Sequence, residues 1–88
     1  MRDISRNLLI VNNWEYHRGA VDEDDYFTIS ICDNQYHLEC CPFANMLSRN
    51  WHIHVDNEAY MTIGGCDIQN TEHFNAFMKL LDIPYELH

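Results

Sequence analysis

Six residues between positions 32 and 54 carry much of the chain's reactive chemistry: Cys32, His37, Cys40, Cys41, His52 and His54. Thiolate and imidazole are the ligands zinc takes in structural sites, and both also serve nucleophilic catalysis. Three of the four cysteines and three of the six histidines fall in this stretch, although no pair has the C-x-x-C spacing of a zinc knuckle. His52 and His54 lie two apart. On a strand they point to one side and can chelate a single ion, with Zn–N bonds of about 2.0–2.1 Å. Together with His37 and Cys41 they form a candidate tetrahedral set for a structural zinc, with Cys32 in reserve. Cys41 also precedes Pro42, which opens a predicted helix. The positive end of the helix dipole favours thiolate there, so a nucleophile with His37, His52 or His54 as base is a second chemistry. The sequence supplies neither a third group to orient that base nor an oxyanion-hole motif, so a non-enzymatic role is expected.

The elements that must position these residues are two β-hairpins. Tyr26 to Cys41 forms the first if Asp33-Asn34 is a two-residue turn. Phe27, Ile29 and Ile31 then share a face with Tyr36, Leu38 and Cys40, and His37, Glu39 and Cys41 lie opposite. Cys40 on this register is a core residue. Pro42 to Arg49 reads as a short helix, with Pro42 in the first turn and Phe43, Met46 and Leu47 packing it down. Trp51 to Ile63 is the second hairpin. A three-residue loop, Asp56-Asn57-Glu58, sets Trp51, Ile53 and Val55 beside Ala59, Met61 and Ile63 on the core side, with His52, His54, Tyr60 and Thr62 outside.

A C-terminal helix over Thr71 to Asp82 is capped by Asn70, carries Phe74, Phe77, Met78 and Leu81 as an apolar stripe, and stops at Pro84. Residues 3–18 admit a helix through Ile4, Leu8 and Val11 or a buried strand at Leu8 to Val11. Trp14 to His17 leans towards an edge strand ending at Gly19. The fold expected is α+β over one domain, 1–88: an antiparallel sheet of two hairpins, the C-terminal amphipathic helix on one face and the short helix between the hairpins.

At 88 residues such a domain buries only about 60–65% of its unfolded surface, so its core is modest and a metal staple would help it. The longest apolar run, Leu8 to Val11, is far short of the roughly 18 residues of a membrane span. The N-terminus lacks the apolar stretch of a secretory signal, so a cytoplasmic setting with reduced cysteines is expected.

Charge narrows the partners. Fourteen acidic residues face five basic ones, for a net charge of −9. Nucleic acid and anionic membranes repel such a chain, and basic grooves attract it. A compact domain of this length is roughly 30 Å across. Duplex DNA of that length carries about 18 charges, so the chain reaches about half of that linear density. Asp22-Glu23-Asp24-Asp25 reads as an acidic loop, and Asp33, Glu39, Asp56 and Glu58 add carboxylates at turns and on the outer face. Arg guanidinium pairs such groups in two-pronged geometry. No motif identifies a named family. The expectation is a small acidic inhibitor that mimics DNA and binds a basic nucleic-acid-handling protein such as a host nuclease, the anti-CRISPR or anti-restriction kind of protein that phages and mobile elements produce. A zinc-binding structural or adaptor domain without inhibitory role is the alternative, and a Cys/His thiol enzyme the last.

Overall fold

A computed structural model describes residues 4–21, 25–41, 50–64 and 67–88. They form a five-stranded antiparallel sheet in the order β1-β2-β3-β4-β5 and two helices. The elements are α1 (Arg6–Val11), β1 (Glu15–His17), β2 (Tyr26–Ile31), β3 (Tyr36–Cys40), β4 (Asn50–Val55), β5 (Glu58–Gly64) and α2 (Thr71–Leu80). The predicted helix over Pro42 to Arg49 lies outside the described residues. Among them, no helix is long and apolar enough to cross a membrane.

The ambiguous N-terminal segment is a helix because both of its ends are chemically fixed. The Ser5 hydroxyl accepts the Leu8 N–H at 3.2 Å as the N-cap. At the other end Asn13 takes φ 68°, and the Trp14 N–H reaches back to the Leu9 carbonyl at 2.9 Å. This is the six-to-one bond of a Schellman end, and Asn tolerates its left-handed residue. The buried side is Ile4, Leu8 and Leu9, whereas Val11 is 69% exposed, so the predicted Ile4–Leu8–Val11 stripe is rotated by this ending.

α2 ends the same way. Asp82 has φ 57° and the Ile83 N–H bonds the Met78 carbonyl at 2.9 Å. The helix therefore stops at Leu80, two residues before the predicted limit, and Pro84 follows a stop already made. Asn70 is the N-cap, its side chain accepting the His73 N–H at 3.0 Å.

The first hairpin keeps the predicted register: Ile31 faces Tyr36, Ile29 faces Leu38 and Phe27 faces Cys40. Asp33 and Asn34 both have positive φ, and the Gln35 N–H closes on the Cys32 carbonyl at 3.0 Å. Paired left-handed residues match the right-handed twist of the strands, which is why Asp and Asn serve here.

The second hairpin differs from expectation. Its loop is the two residues Asp56-Asn57, with φ 52° and 68°, and Val55 pairs with Glu58. The tighter turn leaves one extra residue on β5, absorbed as a register shift beside Ile53 and His54. Trp51–Ile63 and Ile53–Met61 stand opposite as predicted, but Ala59 now faces His54. Ala59 is exposed, and so is Met61 at 39%; of the three β5 residues expected in the core, only Ile63 is buried.

Both helices and the inner face of the sheet share one core. Its centre is aromatic: Trp51 lies 4.9 Å from Phe74 of α2 and 6.0 Å from Trp14, which also meets Tyr85 at 6.2 Å. The Trp14 indole N–H donates to the Tyr85 hydroxyl at 2.7 Å, closing a link across 71 positions of sequence. Burial pushes the Tyr85 phenol above its ordinary pKa, opposed by that N–H. The segment after α2 is fastened along the helix. Asn75 accepts the Leu87 N–H at 2.8 Å and donates to the Leu87 carbonyl at 3.2 Å. Ile83 and Leu87 are thereby buried.

Candidate functional site

Side chains alternate along strands, so the core registers fix the opposite face of the sheet. One row across it runs Thr28, Glu39, His52 and Thr62; the next runs Ser30, His37 and His54. Each imidazole of the inner rows meets a hydroxyl one strand away or a second imidazole. Ser30 Oγ lies 2.9 Å from His37 Nδ1, and Thr62 Oγ1 lies 3.1 Å from His52 Nδ1. At the β1 edge His17 Nε2 lies 2.8 Å from Thr28 Oγ1, and its ring stacks on Tyr26 at 4.7 Å. His37 and His54 stand directly opposite, ring centres 5.9 Å apart and edge to face.

Of the four residues expected to share a zinc, these two are brought together. His52 is two residues from His54 on the same side, opposite Glu39. Cys41 lies four residues beyond His37, just past the end of β3, at a separation of roughly 13 Å if the chain stays extended. Among the described residues no group of three or more His, Cys, Asp or Glu converges as metal ligands do. Cys40 is fully buried in the core, and Cys32, the reserve ligand, is exposed on the first hairpin turn with φ 53°. Cys41 is half-buried, its N–H bonded to the Asn50 carbonyl at 3.3 Å.

The carboxylates expected to bind a partner divide between the two ends of the sheet. Asp22, Glu23 and Asp24 lie outside the described residues. Asp25, which follows them, is held from inside: the Tyr16 hydroxyl donates to it at 2.5 Å, the Gly19 N–H at 2.9 Å, and Arg6 stands 3.5 Å away. The Tyr16 hydroxyl is the largest cause holding the Asp25 carboxyl below its ordinary pKa, with Gly19 next, and the same bond pushes Tyr16 up. Asp25 thus fastens the residue before β2 against β1.

At the opposite end, roughly 20 Å along β2, Asp33 and Asp56 sit in the two hairpin turns and Glu58 opens β5. The turns are joined, since the Asp56 N–H donates to the Gln35 carbonyl at 2.8 Å. All three are exposed and make no ion pair among the described residues. Glu39 is half-buried mid-sheet between Thr28 and His52.

Sequence reasoning missed the apolar edge. β5 is an outer strand of the sheet, and Tyr60 and Met61 on it are 56% and 39% exposed. A shallow cleft between them and His52 and His54 follows the bulge. The signal was Asp56-Asn57, a strong two-residue turn pair that the three-residue loop reading passed over. No family model, curated protein or solved structure matches the chain.

Proposed function

We propose that this chain is a small acidic binding protein that occupies the nucleic-acid groove of a basic nucleic-acid-handling protein and so inhibits it, as anti-CRISPR and anti-restriction proteins of phages and mobile elements do. What supports the reading is the pair of tied hairpin tips. Asp33, Asp56 and Glu58 are exposed there without an internal cation among the described residues, in a chain of net charge −9. Carboxylates presented on joined turns lose little freedom on meeting arginine, and two-pronged pairing with guanidinium adds geometric selectivity. Asp25 is not part of this surface, because its oxygens are engaged by Tyr16 and Gly19.

The test is competition: the protein displaces DNA from a basic nuclease and lowers cleavage. Affinity should fall sharply between about 50 and 200 mM salt, as the Debye length shortens towards 8 Å and below. Each of Asp33→Asn, Asp56→Asn and Glu58→Gln should weaken binding by about 0.2–1 kcal/mol, the range of exposed charge pairs. Affinity indifferent to salt and to all three substitutions would overturn the reading.

A further inference from the structure

The facing imidazoles of β3 and β4 have a geometry that the acidic surface does not require. We propose that His37 and His54 form an open two-histidine site for a divalent borderline metal ion of the zinc, nickel or copper kind. This does not rest on the inhibitor reading.

Four observations carry it. Two imidazoles on one ion, each bonded at about 2.1 Å, place their ring centres roughly 5–6.5 Å apart depending on the N–metal–N angle. The observed separation is 5.9 Å with the ring planes at 88°, so rotation of one imidazole about its side-chain bonds would bring a nitrogen of each ring onto a common ion. The backbone holding the pair is fixed on both sides along the ladder, by the Asp56 N–H to Gln35 carbonyl bond at 2.8 Å and the Cys41 N–H to Asn50 carbonyl bond at 3.3 Å. His37 Nδ1 is within 2.9 Å of the Ser30 hydroxyl, which can accept its N–H. That outer partner leaves the Nε2 lone pair for the metal, the arrangement by which metal-bound histidines are commonly oriented. Finally, Glu39 lies two residues from His37 on the same face, in a chain of net charge −9, and this field favours a dication over a neutral occupant.

Imidazole pairs suit zinc, copper and nickel, whereas calcium and magnesium take oxygen ligands, so the site selects by ligand type. With no third His, Cys, Asp or Glu converging among the described residues, water fills the remaining positions. The ion would clip β3 to β4 without reaching the core, so binding should add to stability only in proportion to metal concentration.

The experiment is titration of the intact chain with zinc chloride and with nickel chloride, read by calorimetry and by ¹H–¹⁵N spectra of the histidine rings. One saturable site is expected, with His37 keeping its proton on Nδ1 and losing the Nε2 lone pair to the ion. His37→Gln and His54→Gln should each abolish that site, and Ser30→Ala should weaken it about tenfold, the lower end for loss of an outer partner. His17→Gln and the Cys32→Ser/Cys41→Ser double variant should leave it intact. Magnesium should not compete. Saturable binding that survives either histidine substitution, or that disappears with the two thiols, would overturn the proposal, as would the absence of a saturable site. The thiol outcome would return the metal to the cysteines.

Discussion

On the inner face of the sheet Trp51 meets Phe74 at 4.9 Å and Trp14 at 6.0 Å, while on the outer face of the same strands His37 and His52 reach hydroxyls one strand away and His37 meets His54. The inner contacts are desolvated and close-packed, so each atom removed leaves a void. The outer ones stay within reach of water, which can replace a lost partner at little cost. Stability is thus concentrated on one side of the sheet. That frees the other side, and the hairpin tips beyond it, to carry polar chemistry without endangering the fold.

The comparison breaks most visibly through Trp51. Trp51→Ala should cost about 3–5 kcal/mol in chemical denaturation, against about 0.5 kcal/mol or less for its outward neighbour substitution His52→Ala. Equal costs would mean that the outer face is as firmly packed as the core. A smaller effect tests the fastening of the C-terminal segment. Asn75→Ala removes both side-chain bonds to Leu87 and should cost about 1–3 kcal/mol, at roughly 0.5–1.5 kcal/mol per bond. Amide exchange at Leu87 should rise before global unfolding does.

The smallest effect sharpens the contrast at the β1 edge. The folded pKa of Asp25 is depressed, so its contribution is complete above the unfolded aspartate value of 3.8 and is lost as pH falls through the lower folded value. Tyr16 is raised, so its contribution is complete below 10.0 and is lost as pH climbs through the higher folded value. Tyr16→Phe should remove the alkaline dependence and reduce the acid one, because Gly19 and Arg6 still hold Asp25, checked by comparing denaturation midpoints of the two proteins across acid and alkaline pH. An acid-side slope of unchanged size in the variant would show that Gly19 and Arg6 alone hold the carboxylate.

Much of this architecture could be read from short stretches. Alternation in Phe27 to Ile31 and Tyr36 to Cys40 specified the first hairpin and its faces, because a one-residue slip would turn the three apolar side chains of one strand to water. Asn70 marked the start of α2 and the stripe through Phe74 and Met78 marked its buried side. The outward position of His37, His52 and His54 followed from the same alternation, so half of the candidate site was legible. Its grouping was not. That His54 falls opposite His37 depends on how β3 registers against β4, across a connection whose length alone does not set the pairing.

Elements whose causes are local follow from the amino-acid order alone: caps, left-handed turn residues at Asp33, Asn34, Asp56 and Asn57, and alternating strands whose patterns close within a few residues. Long-range packing instead decided that the edge strand Glu15 to His17 pairs with β2. It also decided that Leu87 returns to Asn75 and Tyr85 to Trp14, and that the tight second turn pushes Met61 towards solvent. These are pairings between distant groups, each chosen by how much apolar surface and how many backbone groups the whole chain can satisfy at once, a competition that no single stretch contains.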